Sequence, residues 1–490
     1  MTEYSDLMAF QRQTEALSAI AGRLGWDQET MMPRGSAGQR AEEMAAIEAV
    51  LHARRTDPKI GDWLGSADPS SEIESANLRL IRRRYERTLK VPARLASEIA
   101  SVTSRAQGIW ADARANENVA ASLPILTEVI ALRQEEAQAL ATGGNLYDAL
   151  LDDYEPGISS VAIADLFDRM RPRLVALRDR IFGASHQPAR LEGKFADEIQ
   201  AEMATKLALS FGYDMSIGRI DRAVHPFSSG SGQDVRITTR VNESDPFNCF
   251  YSTIHEVGHA AYEQGIDDQH ILTPVGCGVS MGVHESQSRI YENQLGRGRA
   301  FTGWLHGQMQ EAFENLNITD ADAFYAAVNR CSPSYIRTGA DEVQYNLHVM
   351  LRFDLERAII AGDLKPTDLE AAWNDRFEAD FGLAVDKPSN GVLQDVHWSV
   401  GLFGYFPTYS LGNVYAGCLF EALKSDVPDW EDGLHDGDAS AATNWLRTNV
   451  QKHGGLYEPV DVITKASGQS PSEEPLLDYL EAKFESIYRL

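Results

Sequence analysis

Cysteines, basic residues and long apolar runs are all scarce in this sequence of 490 residues. The four cysteines, Cys249, Cys277, Cys331 and Cys418, show no CxxC spacing, which is typical of free thiols in a reducing compartment rather than of a disulfide scaffold. No stretch approaches the roughly 18 consecutive apolar residues of a membrane span, and the N-terminus lacks the basic and apolar regions of a signal peptide. We therefore expect a cytoplasmic protein that does not enter a membrane.

The shortage of basic residues also limits the possible partners. The sequence has 45 Lys and Arg against 72 Asp and Glu, which gives a net charge of −27. Proteins that bind nucleic acid need clustered Lys and Arg to neutralise phosphates. We therefore expect no nucleic-acid partner.

Composition and patterning indicate one large, mainly helical domain. Hydrophobic residues make up 43% of the chain and charged residues 24%, which is enough for a large core, and no Gly/Ser-rich or Pro-rich linker interrupts the sequence. Segments such as 36–55 and 74–89 place apolar residues at the three-and-four spacing of amphipathic helices. We predict a single domain over residues 1–490, with an N-terminal helical half (1–215) and a second half (216–490) that carries the chemical motifs.

A short region near the middle has the pattern of strands. Residues 234–241, DVRITTRV, alternate between two faces, as strands do. We predict that this run and residues 218–227 form a β-hairpin joined by the turn SSGSGQ, and that residues 273–286 add a third strand. The expected fold is mainly α, with one small β-sheet next to the helix that carries the central motif.

The most informative motif, HEVGH, lies at His255–His259. Asp245 and Pro246 are the residue types of an N-cap and a first helical position, and Gly265 is placed to end the helix. Histidines four residues apart lie on one face of a helix, so both can bind one zinc ion, with Glu256 placed to accept a proton from water. The pattern indicates metal-assisted hydrolysis of an amide bond.

A catalytic zinc ion usually has a third protein ligand. The predicted helix VHESQSRIYENQLG offers His284, Glu285 and Glu292, and we favour Glu285. In many HExxH enzymes with a glutamate ligand, an acid four residues later orients one of the histidines, but here that position holds Arg289. We therefore expect the orienting partner to come from elsewhere in the chain.

Peptide hydrolysis also needs groups that hold the substrate and stabilise the oxyanion. Arg236 in DVRIT and Arg337 in YIRTGADE could each form paired hydrogen bonds to a carboxylate, or could form structural salt bridges instead. His397 in QDVHW and the tyrosines Tyr405 and Tyr409 in GYFPTYSLGN could donate hydrogen bonds to an oxyanion, or could belong to an aromatic core.

Taken in order, these motifs resemble the carboxypeptidase Taq family of metallocarboxypeptidases. The blocks that carry the resemblance are LGWDQETMMP at 24–33, HPF and DVRIT within 225–238, HEVGH at 255–259, HESQS at 284–288, IRTGAD at 336–341 and GVLQDVHW at 391–398. The resemblance covers nearly the whole chain. It implies a large helical metallopeptidase with a deep central groove, usually a homodimer, that removes single residues from the free C-terminus of peptides with broad specificity.

The resemblance also implies a role for each candidate residue. It assigns metal binding, with Zn²⁺ or Co²⁺ as the ion, to His255, His259 and Glu285. It assigns the general base to Glu256 and binding of the substrate carboxylate to Arg236 and Arg337. It assigns hydrogen-bond donation in the transition state to His397 and Tyr409.

Three other interpretations stay open at this point. A related helical HExxH enzyme could act as an endopeptidase or a dipeptidyl carboxypeptidase, which cleavage of a substrate with a blocked C-terminus would reveal. Residues 278–282, GVSMG, match the GxSxG nucleophile elbow, but that fold needs repeated strand–helix alternation, which this sequence lacks. A binding scaffold with an inactive metal site would normally have lost the base or a ligand, whereas this sequence keeps HEVGH and Glu285.

Overall fold

The computed structural model describes residues 2–141, 143–313 and 316–490. Its helices and strands, in chain order, are α1 (Glu3–Thr30), α2 (Ala37–Arg55), α3 (Pro58–Ser66), α4 (Glu72–Lys90), α5 (Ala93–Ala115), α6 (Val119–Ala141), α7 (Leu146–Leu151), α8 (Ser160–Gly183), α9 (Asp197–Ser210), β1 (Gly218–Arg222), β2 (Ser228–Ser231), β3 (Asp234–Thr239), α10 (Pro246–Gly265), α11 (Met281–Arg289), α12 (Arg299–Ala312), α13 (Ala321–Val328), α14 (Glu342–Ala361), α15 (Leu369–Phe381), α16 (Pro407–Asp426), α17 (Ser440–Asn449), α18 (Pro459–Ser467) and α19 (Glu474–Tyr488). A π-helical turn, Ile290–Gly296, follows α11. The predicted class, mainly α with one small sheet, is confirmed.

The chain divides into two units, each built from three segments. Unit 1 comprises Met1–Thr88, Pro188–Asn329 and Tyr415–Pro471. Unit 2 comprises Leu89–Gln187, Arg330–Val414 and Ser472–Leu490. Each unit therefore combines segments from both sides of residue 215. Within the described ranges, no helix is both long enough and apolar enough to cross a membrane.

The sheet belongs to unit 1 and has the strand order β1–β3–β2. β1 runs parallel to β3, whereas β2 pairs with β3 as an antiparallel hairpin around Gly232 and Gln233. Gly232 has φ +61°, a conformation that favours glycine. The strand predicted over DVRIT is confirmed, and its Val235 and Ile237 side chains are fully buried.

The predicted partner of this strand was wrong. The antiparallel strand is β2, SSGS, which lies in the stretch predicted as the turn, and the predicted first strand contributes β1, which pairs in parallel. Serine and glycine have low strand propensity and SSGS shows no apolar alternation. β2 is a short edge strand, and its pairing with β3 is what makes it a strand.

The third strand predicted within residues 273–286 does not form. The backbone amides of Gly278 and Val279 donate instead to the side chains of Glu263 and Tyr262, at 3.0 and 3.2 Å. Amides that are bonded to side chains are not available for a strand ladder. The segment therefore approaches α11 as a series of turns.

The helix that carries HEVGH has the predicted bounds. Pro246 is its first residue, after Asp245, and Gly265 is its last. Asp245 stands at the N-cap position, although its side chain makes no capping hydrogen bond. Proline is well suited to this first position because its missing N–H would have no partner there in any case.

Gly258, the fourth residue of the motif, lets α10 approach α11 closely. A Cβ atom at this position would lie 2.5 Å from Ser288 Cα and 2.6 Å from Gln287 O, both backbone atoms of α11. These contacts are too short for any side chain. The glycine therefore sets the distance between the helix that carries both histidines and the helix that carries Glu285.

In unit 2, α14 is a central helix. It is buried around its whole circumference, which is the pattern of a helix inside a core. Its Phe353 packs edge-to-face against Tyr147 of α7 and Phe167 of α8, with ring centres 5.6 and 5.1 Å apart. Several polar side chains are buried with it, and their partners matter for the site described below.

We predict that Gly258→Ala destabilises the protein and weakens metal binding, because a methyl group would force α11 away from α10. Overpacking of this kind costs about 1–3 kcal/mol of unfolding free energy. The matched control is Gly303→Ala in α12, where an added Cβ meets no atom within 4 Å. That change should be neutral or stabilising by about 0.5–1 kcal/mol. Thermal unfolding and metal titration of both variants check this, and equal behaviour would contradict it.

Candidate active site

The side chains of His255, His259 and Glu285 meet in unit 1. One ligand atom from each lies within 4.8 Å of the others. Glu285 Oε2 is 3.8 Å from His255 Nε2 and 3.3 Å from His259 Nε2. Atoms that bind one zinc ion tetrahedrally, at roughly 2.0–2.2 Å, lie about 3.4 Å apart. The spacing and the two-nitrogen, one-oxygen donor set therefore fit a divalent ion, and the choice of Glu285 agrees with the geometry.

A carboxylate outside this cluster orients His255. Glu292, in the π-helical turn, places Oε2 3.0 Å from His255 Nδ1. Arg289 Nη1 and Arg297 Nη2 donate to the same carboxylate, at 3.2 and 3.1 Å. Burial by itself would raise the pKa of Glu292, but His255 and the two arginines lower it to about 2. Glu292 is therefore an anion that holds the Nδ1–H of His255 and leaves Nε2 directed at Glu285.

His259 is oriented through a second histidine. His259 Nδ1 lies 2.7 Å from His284 Nδ1, and His284 Nε2 lies 3.0 Å from Glu263 Oε1. Glu263 accepts the Nε2–H of His284, so His284 Nδ1 carries the lone pair that accepts from His259 Nδ1–H. This order of protons leaves a lone pair on His259 Nε2, the atom that faces Glu285.

Arg289 has a different role from the acid that many HExxH enzymes carry at its position. Its Nε donates to Glu285 Oε1 at 2.7 Å, and Ser288 Oγ donates to Glu285 Oε2 at 3.1 Å. Burial alone would raise the pKa of Glu285, but Arg289 and His255 hold it well below its ordinary value. Arg289 therefore keeps Glu285 ionised. The carboxylate that orients His255 comes from Glu292, in agreement with the expectation that this partner would not stand at position 289.

Glu256 is buried beside this cluster. Its side chain is 6% exposed, and Oε2 has no hydrogen-bond partner among the described residues. Burial raises the pKa of Glu256 to about 7. A cation held by the three neighbouring ligand residues would lower that pKa again by direct attraction. A buried carboxyl group with no described hydrogen-bond partner on Oε2 is available to accept a proton from water, which is the role of a general base.

The other predicted site residues, Arg236 excepted, lie in unit 2, around Asp395. Arg337 is 5% exposed, and its Nη2 donates to Asp395 Oδ1 at 3.0 Å. Arg352, fully buried, donates through Nε to Asp395 Oδ2 at 2.7 Å. Burial alone would raise the pKa of Asp395, but the two arginines hold it well below its ordinary value. Two guanidinium groups thus share one carboxylate, and the trio carries one surplus positive charge.

His397 and the two tyrosines lie next to this trio. His397 Nε2 is 3.4 Å from Tyr409 Oη, and the ring of Tyr405 is 5.8 Å from the imidazole and 5.2 Å from Tyr409. Burial lowers the pKa of His397 to about 4, so the imidazole is neutral at neutral pH. Arg337 packs against Tyr409, 4.9 Å from its ring centre. The structure therefore brings together Arg337, His397 and both tyrosines.

Comparison with known proteins identifies the family. The model of the carboxypeptidase Taq (M32) metallopeptidases matches residues 6–484. Thermostable carboxypeptidase 1 of Thermus thermophilus is 40% identical over 99% of both chains, and carboxypeptidase 1 of Bacillus subtilis is 32% identical over 100% of this chain and 98% of its own. The crystal structure of the M32 carboxypeptidase from Deinococcus radiodurans R1 has a TM-score of 0.97 at 36% identity over 100% of both chains.

The chain belongs to the carboxypeptidase Taq (M32) family. It is a metal-dependent carboxypeptidase, a class of peptide hydrolase. The resemblance carried by the motifs is confirmed, and so is the metal-dependent carboxypeptidase activity that it implied. Membership of a metallopeptidase family implies a divalent metal, and the cluster of His255, His259 and Glu285 is a group able to hold one.

In this M32 protein, Arg236 forms a salt bridge within its own strand. Its Nε and Nη2 donate to Asp234 Oδ1 and Oδ2 at 2.7 and 3.0 Å, and the guanidinium lies 4.4 Å from the ring centre of Trp26. Asp234 also accepts from Arg23 at 2.6 Å. The planar fork of Arg236 is therefore already matched by one carboxylate.

The GVSMG match has a structural explanation. Ser280 is the N-cap of α11, and its Oγ accepts from the Val283 backbone N–H at 3.1 Å. A Cβ atom on Gly278 would lie 2.7 Å from His284 Cδ2, so the glycine is needed where the chain passes the histidine pair. The helical M32 fold excludes the α/β-hydrolase interpretation.

Sequence reasoning missed the orienting roles of Glu263 and His284 and the pairing of Asp395 with Arg352. Glu263 stands four residues after His259, on the same face of α10, which is a usable signal. The partners of Asp395 are 43 and 58 residues away along the chain, and no local pattern joins them.

We predict that His284→Phe weakens metal binding, because it keeps the ring but removes both nitrogens that orient His259. Loss of such an orienting partner typically costs about 10–100-fold in metal affinity. The matched control is His306→Phe: His306 is also buried in unit 1, but its Nε2 bonds to Ile318 O at 2.9 Å. The check is the metal dissociation constant from chelator competition. Unchanged affinity in His284→Phe would show that His259 needs no partner.

Proposed function

We propose that the protein releases single amino acids from the free C-terminus of peptides, with broad specificity, using a divalent ion held by His255, His259 and Glu285. The observation that supports this most is the cluster itself, in which each histidine has a separate orienting partner. When bound, the ion, Zn²⁺ or Co²⁺, supplies a Lewis acid for the scissile carbonyl and the attacking water.

Glu256 is the general base in this proposal. Its Oε2, which is buried and has no described partner, takes a proton from the attacking water and passes it to the nitrogen of the leaving amino acid. A pKa that burial has raised favours the second half of this transfer, because the carboxyl must hold the proton between the two steps. Glu292 and Arg289 do not take part in the transfer; they keep His255 and Glu285 in place.

His397 and Tyr409 are the proposed donors to the oxyanion. The imidazole is neutral, because burial lowers the pKa of His397, so it offers one N–H and no charge. Tyr409 Oη lies close enough to His397 Nε2, at 3.4 Å, for the two groups to act on one oxygen. Tyr405 is the nearest substitute for Tyr409.

Arg337 is the proposed partner of the substrate's terminal carboxylate. The trio of Arg337, Arg352 and Asp395 has a surplus positive charge, and a buried surplus charge is stabilised by an anion. Arg236 is the second candidate, although its Nε and Nη2 already donate hydrogen bonds to the Asp234 carboxylate. Preference for a free C-terminus follows directly, since an amidated end offers no charge.

Two further properties belong to the proposal. Homodimer formation is implied by the family resemblance alone, and light scattering of the purified protein tests it. A cytoplasmic location fits the four free cysteines, since free thiols persist in a reducing compartment.

A pool of free-acid peptides and their amidated counterparts tests the activity. We expect the metal-loaded protein to shorten free-acid peptides one residue at a time, as read by mass, and a chelator to stop it. Glu256→Gln should keep its metal and lose about 10²–10⁴-fold in kcat, since glutamine cannot accept the proton. Internal cuts or released dipeptides would favour the endopeptidase or dipeptidyl alternative, and near-normal activity of the variant would place the base elsewhere.

We also predict that Arg337→Ala shrinks the preference for free-acid over amidated peptides. A charge-assisted pair is worth about 1.5–3 kcal/mol, or about 10–100-fold in kcat/KM. Arg236→Ala tests the second candidate. Arg376→Ala is the control, because Arg376 also belongs to unit 2 and pairs with Asp354 at 2.7 Å. An unchanged ratio in both Arg337→Ala and Arg236→Ala would mean that neither arginine holds the carboxylate.

A further inference from the structure

Two ionisable residues are buried one helical turn apart on α14. Arg352 and Glu356 are both 0% exposed, and their spacing of four puts them on one face of the helix. Buried polar and charged groups are tolerated only when hydrogen-bond partners replace water, and burial raises the pKa of Glu356 to about 7. Both residues find partners in one short segment, residues 395–404.

Arg352 holds the start of this segment. Its Nε donates to Asp395 Oδ2 at 2.7 Å, and its Nη1 donates to the backbone oxygen of His348, one turn back on α14, at 2.7 Å. The guanidinium also packs 4.6 Å from the ring centre of Trp373. It is therefore fixed to its own helix, and it fixes Asp395.

Glu356 holds the rest of the segment at two points. Its Oε1 accepts from Trp398 Nε1 at 2.7 Å, and its Oε2 accepts from the Gly404 backbone N–H at 3.1 Å. A third donor, Tyr147 Oη of α7, reaches Oε2 at 2.7 Å. Of these three hydrogen bonds, two come from the segment and one from outside it.

The segment is a series of turns with backbone hydrogen bonds of its own, including Leu402 N–H to His397 O at 2.8 Å. Gly401 and Gly404 have φ of +78° and +87°, a conformation that favours glycine. The hydrogen bonds from α14 add restraints at side chains and at the Gly404 amide. His397 lies between the points held by α14: Asp395 is two residues before it, and Trp398 is the next residue. The imidazole lies between these held points: its Nε2 is 3.4 Å from Tyr409 Oη, its Nδ1 is 3.8 Å from Asp395 Oδ1, and its ring packs against Phe406.

We propose that Glu356 is a positioning residue for His397, acting with the Arg352–Asp395 pair to hold the turn segment from both sides so that the imidazole stays beside Tyr409. The inference rests on the proposed role of His397 as an oxyanion donor. Glu356 touches no reacting atom. Its hydrogen bonds to Trp398 and Gly404 restrain small rotations of the segment that would displace His397 Nε2.

A double-mutant cycle between Glu356→Gln and His397→Ala tests this. Glutamine keeps the volume but turns an N–H towards one of the donors, so at least one hold on the segment is lost. We expect Glu356→Gln to lower kcat about 10–100-fold, the effect of a displaced catalytic group. KM for peptides should stay within about twofold, since Arg337 is untouched. In the His397→Ala background the same change should lower kcat by no more than about twofold, because the group it positions is absent.

Tyr147→Phe is the matched control. It removes a hydrogen bond of equal length, 2.7 Å, to the same carboxylate, but from α7 and not from the segment. It should lower the thermal midpoint about as much as Glu356→Gln while leaving kcat within about twofold. If Glu356→Gln does not fold, Trp398→Phe, which removes one donor of the segment and keeps the carboxylate, takes its place in the cycle.

The outcomes separate the two hypotheses. Losses that multiply in the double variant, or an equal loss of kcat in Tyr147→Phe, overturn the positioning role while leaving the role of His397 intact. A His397→Ala variant with nearly normal kcat overturns the role of His397 and the inference built on it. Loss of kcat in Glu356→Gln that disappears in the His397→Ala background supports both.

Discussion

The contact on which the metal cluster depends is the approach of α10 to α11 at Gly258. Both histidines come from one helix, and their spacing follows from helix geometry alone. The third candidate ligand comes from another helix, and its distance is set by how closely two backbones can pass. With 2.5 Å between a notional Cβ and the facing backbone, only glycine permits that distance. The second variable position of the HExxH motif, Gly258, is thus as constrained in this chain as the ligands themselves.

Once the helices are in contact, buried charge determines the rest of the arrangement. Glu285 and Glu292 are ionised inside the protein because Arg289 contacts both of them. The π-helical turn after α11 accommodates Glu292 at His255 Nδ1 while Glu285, seven residues earlier, faces Nε2 of the same ring. A local widening of a helix at a functional site is a common device. Here it places two carboxylates of one helical run on different atoms of one histidine.

Much of the fold and of the metal cluster could be predicted from the sequence, and the parts that could not have physical causes. The bounds of the HEVGH helix agree with the structure, because they depend on local signals such as Pro246 and Gly265. Glu285 lies beside both histidines, but that placement depends on the packing of two helices and could only be favoured from the sequence. The hairpin was assigned the wrong partner because SSGS has no strand signal of its own. The trio of Arg337, Arg352 and Asp395 could not be predicted from the sequence, because the two arginines come from a 3₁₀ turn and a buried helix far from Asp395 along the chain. An arginine inside a helical pattern gives no sign that its partner is a loop carboxylate.

The two units hold their candidate site side chains in position by different means. In unit 1 the reactive side chains stand on α10 and α11, whose backbone hydrogen bonds already fix them, so neighbouring residues need only orient imidazole rings. In unit 2 His397 stands on turns, whose backbone hydrogen bonds are short-range, such as Leu402 N–H to His397 O at 2.8 Å. Side chains of α14 restrain the same segment from outside it, through Asp395, the Trp398 indole and the Gly404 amide. That gives a reason for a fully buried arginine and glutamate on α14: each forms hydrogen bonds to the segment that carries His397.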